Sequence, residues 1–308
     1  MEKGLPTFSI IVPTYNRLDQ LTLCLRALSN LEYPDDDFEV IVVDDGSSIS
    51  PEPVVASFSN RINITLIRQE NSGPATARNI GSTHAKGRYL AFTDDDCIPA
   101  SDWLQALKEQ FTATQDHIIG GKTLNTLQKN LFSIASYQLI SYLYDYYNSD
   151  SNKARFFTSN NIAVSAEGFR AIGGFDTTFP LAAGEDRELC DRWLYHGYKM
   201  TYLPEAIVYH NHTMFLRGFW RQHFNYGRGA FYFHQIRLNR HQDPIRFEPL
   251  SFYMNLLRYP FMQSRDMRAI LLMLLLLCSQ VAGTTGYFWE KNSRWGIRLF
   301  LGKYWKRK

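Results

Sequence analysis

The chain has 308 residues, 45% of them hydrophobic and 15% aromatic, enough to enclose one large core or two modest ones. Its net charge of +3 is unevenly spread, because Lys291, Arg294, Arg298, Lys303, Lys306, Arg307 and Lys308 all follow the last acidic residue; without those seven, 26 basic residues face 30 acidic ones. A mildly acidic body excludes general binding to nucleic acid, and four scattered cysteines (Cys24, Cys97, Cys190, Cys278) with no CxxC pair exclude a disulfide framework or a cysteine zinc site.

The N-terminal segment MEKGLPTFSIIV lacks the basic-then-apolar layout of a signal peptide, so the chain is expected to begin in the cytoplasm. Runs rich in Val, Ile and aromatics predict strands at Phe8 to Val12, Phe38 to Val43, Ile64 to Ile67 and Tyr89 to Phe92. Between them, Leu18 to Leu31, Val54 to Asn60 and Pro74 to Lys86 read as helices, the last opened by its proline. Strand and helix alternating in this way predict an α/β fold with a parallel sheet and crossover helices. Ligands of such sheets sit beyond the carboxyl ends of the strands. Those ends are polar here: Pro13, Thr14, Tyr15, Asn16 and Arg17 after the first strand, and Asp44, Asp45, Gly46 and Ser47 after the second. Asn71, Ser72 and Gly73 follow the third, with Arg78 one helical turn later. The fourth ends in Asp94, Asp95 and Asp96. Three adjacent carboxylates repel one another. Either they meet a divalent cation, since hard oxygen ligands suit Mg²⁺ or Mn²⁺, or they form a solvated acidic turn capping the next helix. Four strand ends converging on one rim favour the cation.

From Gly120 onward the character changes. Tyrosines crowd at positions 137, 142, 144, 146 and 147, and the segments FFTSNNIAV, GGFD and AAGEDRELCDRW follow. A helix starting near Glu185 would bury Leu189, Trp193 and Leu194 and set Glu185 and Asp186 in its first turn, where the helix dipole already favours acidic groups. Further on, Arg217 and Arg221 stand four apart on a segment that reads as a helix, with Arg228 beyond them. They either grip a lipid-linked diphosphate or membrane headgroups, or form a solvated basic face. Ala269 to Trp289 contains the apolar run ILLMLLLLC but continues through Ser279, Gln280, Thr284 and Thr285. It spans a bilayer only if those polar residues are tolerated, and a buried core helix has the same pattern. The tail spaces Ile297, Phe300, Leu301 and Tyr304 helically among basic residues, as an interfacial helix would. Membrane association through 265–308, at the cytoplasmic face, is the expectation.

The strings IIVPTYNR, VVDDGS, GPATARN, FTDDDCIP, GGFD and GEDRELCDRW, in this order over residues 7–230, resemble the family 2 glycosyltransferases. The resemblance implies a GT-A fold, with a Rossmann-like, mostly parallel central sheet flanked by helices. It also implies inverting transfer from a nucleotide-sugar donor (a UDP-sugar by family habit) to a glycan or lipid-linked acceptor, with Mg²⁺ or Mn²⁺. On it, 1–120 is the nucleotide-sugar-binding half, 121–240 the half carrying acceptor site and base, and 241–308 a helical, membrane-associated extension. Tyr15 and Asp45 match positions that hold base and ribose, with Pro13, Asn16 and Arg17 on the same loop and Asp44 supporting the next turn. Arg78 would face the nucleotide or its diphosphate. Asp94 and Asp96 match the anchors of the DxD motif: Asp96 for direct metal contact, Asp94 or Asp95 for ribose or water-mediated contact. Asp186 matches the catalytic base, with Glu185 beside it. A histidine closing the metal site is offered by His210 first and His212 second. Asn160 and Asn161 match a segment near the acceptor, although a buried hydrogen-bonded turn fits them equally. The QxxRW string of processive synthases does not occur, which favours transfer of a single sugar. A nucleotidyltransferase would need a Gly-rich phosphate loop where PTYNR stands, and a non-catalytic scaffold would lack the base that Asp186 supplies.

Overall fold

The first four strands form as their composition dictates, in a computed structural model that describes residues 5–241, 248–263 and 265–305, with side chains described in 5–241, 248–262 and 265–293. They are β1 (Phe8–Thr14), β2 (Phe38–Asp44), β3 (Ile64–Arg68) and β4 (Tyr89–Thr93), alternating with helices α1 (Leu18–Leu28), α2 (Glu52–Ala56) and α3 (Pro74–His84). Helix α1 ends three residues earlier than its periodicity suggested, and α2 starts at Glu52 because Pro51 opens it. Then come β5 (Cys97–Pro99), α4 (Trp103–Ala113), β6 (Ile118–Asn125), α5 (Leu131–Tyr147), β7 (Asn161–Ser165), α6 (Ala166–Ala171), α7 (Glu185–Tyr195), β8 (Met200–His210), α8 (Leu216–Asn239), α9 (Leu250–Gln263) and α10 (Met267–Trp305).

These elements form two units. The first comprises Met1–Leu127, Leu143–Thr178 and Asp186–His212, the second Gln128–Tyr142, Phe179–Glu185 and Thr213–Lys308. The first unit contains one eight-stranded sheet in the order β3-β2-β1-β4-β7-β6-β8-β5. Strands β3, β2, β1 and β4 are parallel, with Phe8 opposite Phe38 and Thr14 opposite Asp44, so their carboxyl ends share one rim. Strands β1, β2 and β4 are buried on both faces, which is why they read as continuous apolar runs, whereas the edge strand β3 is only partly buried. Beyond β4 the sheet is mixed: β7 runs antiparallel to β4 and β6, β8 parallel to β6, and β5 antiparallel to β8. The β5–β8 pairing matters most, because it sets His210 directly opposite Cys97, the residue after Asp96. A chain neighbour of the acidic row is thereby paired with a strand more than a hundred residues away.

In the second unit, α8 and α10 lie against each other through glycines. A Cβ on Gly227 would run into the Gly283 carbonyl, and one on Gly286 into the Phe224 carbonyl. Buried Glu290 accepts hydrogen bonds from Arg228 Nε (2.7 Å) and from the Tyr232 hydroxyl (2.6 Å) across the same pair. This geometry inverts a common substitution effect. Gly→Ala within a helix normally stabilises by about 1 kcal/mol, and Gly218→Ala, with open space around the new methyl, is expected to do so. Gly227→Ala should instead destabilise by about 1–3 kcal/mol through overpacking. Paired thermal melts check the difference in sign. The tail positions Ile297, Phe300, Leu301 and Tyr304 fall outside the described side chains, and Lys306, Arg307 and Lys308 outside the described residues.

Candidate active site

The rim at the ends of the parallel strands is assembled from short loops that hydrogen-bond to one another. After β1, Asn16 adopts the left-handed conformation (φ 55°), which asparagine tolerates better than most residues. Its Oδ1 accepts from the Ser48 N–H and hydroxyl, both at 2.8 Å, and its own N–H donates to Ser47 Oγ at 2.8 Å. Asp44 closes the turn after β2, accepting from the Ser47 N–H at 3.0 Å and Arg68 Nε at 2.9 Å. Asp45 secures the next loop. Its Oδ1 accepts from Gln69 Nε2 and the Ser72 N–H, each at 2.7 Å, and its Oδ2 from the Gly73 N–H at 2.9 Å. Gly46 permits this closure, since it has φ +83° and a Cβ there would approach Asn71 N to 2.8 Å. Tyr15 projects from the rim with 48% of its surface exposed, whereas Pro13 is buried within β1.

The three aspartates have three different environments. Asp94 is paired with Arg78 Nη2 at 2.6 Å. Asp95 accepts from the Thr14 hydroxyl at 2.8 Å and from Arg17 Nη1 at 3.1 Å. Asp96 meets Arg17 Nη1 at 3.0 Å, His210 Nε2 at 3.2 Å and His212 Nδ1 at 3.1 Å. Burial pushes the Asp95 carboxyl up to about 6, with Asp96 acting in the same direction and Arg17 opposing. Burial works against ionisation of Asp96 too, but hydrogen bonds from His210 and His212, then the charges of His210 and Arg17, hold it far below the usual carboxylate range. For His210 burial opposes the charged form, and the bond to Asp96 outweighs it and raises the imidazole above its ordinary value. One donor atom each from Asp96, His210 and His212 lie within 4.8 Å of one another, a spacing that a single cation can bridge. Both histidines offered by the sequence therefore converge on Asp96, while Asp94 is held apart by Arg78.

Asp186 lies in the first turn of α7, its Oδ1 accepting the Arg187 N–H at 2.7 Å. Burial raises its pKa, opposed by that N–H and by the charge of Arg78. Arg78 thus acts on Asp94 by contact and on Asp186 through its field. The next residue, Asn79, clamps the GGFD turn, donating to the Phe175 carbonyl and accepting the Phe175 N–H, both at 2.8 Å. Arg192, paired with buried Glu188 at 2.8 Å, donates to the carbonyls of Ile172 and Gly174 in the same turn. These supports escaped sequence reasoning. Their signals were present, in the asparagine of the ARN string and the i,i+4 pair within ELCDR.

Asn161 is committed to the fold: its oxygen accepts from Trp103 Nε1 at 2.9 Å, and its amide protons go to the carbonyls of Lys122 and Ala206. The buried-turn alternative describes this residue. Asn160, nearly buried, accepts from the Thr158 hydroxyl at 2.8 Å. Glu185, buried, and Arg217 and Arg221, exposed on α8, belong to the second unit.

The family described as Glycosyl transferase family 2 matches residues 9–173, and one described as the N-terminal domain of galactosyltransferase matches residues 140–215. Glycosyltransferase AglE of Haloferax volcanii is 28% identical over 212 residues, covering 68% of both chains. Chondroitin synthase of Escherichia coli is 28% identical over 66% of this chain, which spans only 34% of that protein's length. Among solved structures, the Pyrobaculum calidifontis mannosyltransferase PcManGT aligns with a TM-score of 0.60 at 20% identity, covering 99% of this chain and 89% of that one. Residues 1–349 of S. aureus TarS align with a TM-score of 0.53 at 19% identity, covering 94% and 92%. These two share the fold, which is GT-A-like.

Proposed function

The chain belongs to glycosyl transferase family 2 and is a glycosyltransferase, and on that premise we propose that it moves a single sugar from a UDP-sugar to a glycan or lipid-linked acceptor, with inversion and with a divalent cation, at the cytoplasmic face of a membrane in surface polysaccharide or glycolipid synthesis. The observation that carries this reading is the convergence of His210 and His212 on Asp96, beside the line from Asp94 through Arg78 toward Asp186.

Asp96, His210 and His212 would hold the cation. Two imidazole nitrogens and one carboxylate oxygen fit a borderline ion better than a strictly oxygen-seeking one, which favours Mn²⁺ over Mg²⁺. When bound, the ion supplies positive charge to the departing nucleoside diphosphate without needing a proton. Arg17 holds Asp95 and Asp96 in place, and Arg78 adds a fixed positive charge on the same side. The base would stack against exposed Tyr15. Asp45 would receive the ribose or base, because three hydrogen bonds leave its carboxylate room for another of its roughly four acceptor positions. On the acceptor side, Asp186 takes the proton of the attacking hydroxyl as the oxygen bonds to the anomeric carbon and the diphosphate leaves from the opposite face. Its raised pKa makes it a stronger base than an ordinary aspartate.

Both kinds of donor occur among the fold neighbours: PcManGT was solved with GDP-Man and Mn²⁺, and TarS with UDP-GlcNAc. A screen of nucleotide-sugars by thermal shift, with each metal in turn, tests the reading. UDP-sugars should stabilise the protein, with Mn²⁺ effective at lower concentration than Mg²⁺. Stabilisation by GDP-sugars alone would overturn the donor assignment, and a shift indifferent to metal would overturn the cation.

A further inference from the structure

Helix α10 has its polarity reversed for a protein surrounded by water. The side packed inside the second unit carries Ser279, Gly283, Gly286 and ion-paired Glu290 among its apolar residues. The outward side exposes Met267, Ile270, Leu274, Leu277, Val281 and Phe288 at helical spacing, between 39% and 70% exposed, with Thr284 and Thr285 exposed between the last two. That stripe is about 32 Å long at 1.5 Å per residue. Basic residues flank it, with Arg265 exposed before it, Arg268 exposed in its first turn and Lys291 after it.

The stretch Met267–Ser293 is long and apolar enough to cross a membrane, but its neighbour opposes that orientation. Phe219 of α8 shares an apolar cluster with Leu272, and Gly227 lies against Gly283. Arg221, between Phe219 and Gly227, is therefore level with the middle of the stretch, and Arg217 lies one turn away. Both are exposed. Standing α10 upright would hold two solvent-facing arginines inside a hydrocarbon layer about 30 Å thick. Lying flat immerses the apolar stripe to a depth of about 5–10 Å and leaves the arginines at headgroup level.

The geometry points to α10 as an in-plane helix that docks the second unit on an anionic lipid surface, with Arg217 and Arg221 of α8 meeting the headgroup phosphates. This rests on the membrane part of the function proposed above and specifies its mode.

The test uses the full chain in a Cys278→Ala background, the other three cysteines being buried. A fluorophore is attached to a single cysteine at position 270, 274, 277, 281 or 288 in turn. The protein is bound to vesicles of two parts phosphatidylcholine to one part phosphatidylglycerol, and lipid quenchers at shallow and deep acyl positions report depth. An in-plane helix gives all five positions the same shallow depth. A maximum near positions 277–281 with shallow ends means a spanning helix and overturns the proposal while leaving membrane association intact. No binding to vesicles overturns both. In the same assay Arg217→Gln/Arg221→Gln should bind anionic vesicles about 25-fold more weakly, at roughly fivefold per basic residue near the surface. Unchanged affinity in that variant, with an unchanged melt, overturns the headgroup contact. The nucleotide-sugar thermal shift on the same preparations reports the transferase reading independently.

Discussion

Replacing Asp186 by asparagine is expected to lower kcat by roughly 10²–10⁴-fold, the range a positioned general base supplies, while donor affinity stays nearly unchanged. The amide keeps an oxygen for the Arg187 N–H that orients the side chain, so position is preserved and only basicity is lost. Stability moves the other way. The folded-state pKa of Asp186 lies above its ordinary value of 3.8, chiefly through burial. Its contribution to folding is thus full at low pH and lost as pH rises through the folded pKa. Ionisation of the buried carboxyl opposes folding, so the Asn variant, which cannot ionise, should melt no lower than the parent. The same shift predicts that the acidic limb of kcat/KM lies above 3.8, activity falling as pH drops through it. Steady-state kinetics, a pH profile and a melt separate the outcomes. Turnover within tenfold of the parent would remove Asp186 from the base role, and a large fall in melting temperature would make it a structural residue.

The second large effect is expected from Asp96→Asn. This carboxylate touches Arg17, His210 and His212 together, and its depressed pKa keeps it ionised across the working range. Neutralising it removes the anionic member of the proposed cation cluster and leaves Arg17 and His210 under-compensated. Its partners are partly exposed, Arg17 by 43%, so solvent screens the loss, and losing these charged hydrogen bonds costs about 1–3 kcal/mol; the metal-free protein should melt lower. The sharper readout is linkage. At about 100 times its Kd, a donor bound with Mn²⁺ stabilises the parent by about 2.7 kcal/mol, and this Mn²⁺-dependent gain should vanish in the variant. Asp95→Asn is the contrasting case, because Asp95 bonds Thr14 and Arg17 but no imidazole. It should retain the Mn²⁺ dependence. Calorimetry showing equal Mn²⁺-dependent affinity in Asp96→Asn would refute the cluster as the cation site.

Much of the first unit was legible because its information is local. Buried parallel strands advertise themselves as apolar runs, and Thr14, Asp44 and Asp94 stand at or just beyond the ends of such runs, so the rim followed from their positions alone. His210 and His212 were visible as two alternatives, but nothing local reveals that both reach Asp96. That depends on β5 pairing with the far end of β8. The mixed half of the sheet was missed for the same reason, since strand direction beyond β4 is set by partners remote in sequence. Asn161 shows the limit at one residue: an amide beside an acceptor site and an amide spent on Trp103, Lys122 and Ala206 look identical in one dimension.

What the sequence determined by itself was the α/β class, the order of the parallel strands' polar ends, the acidic row and the family, because each rests on neighbours within a few residues or on strings in a set order. Tertiary structure alone decided which aspartate gathers the histidines, that Arg78 faces both Asp94 and Asp186, and which side of α10 looks outward. Those depend on which surfaces are buried against which, and the free energy that selects them comes from contacts between segments far apart in the chain.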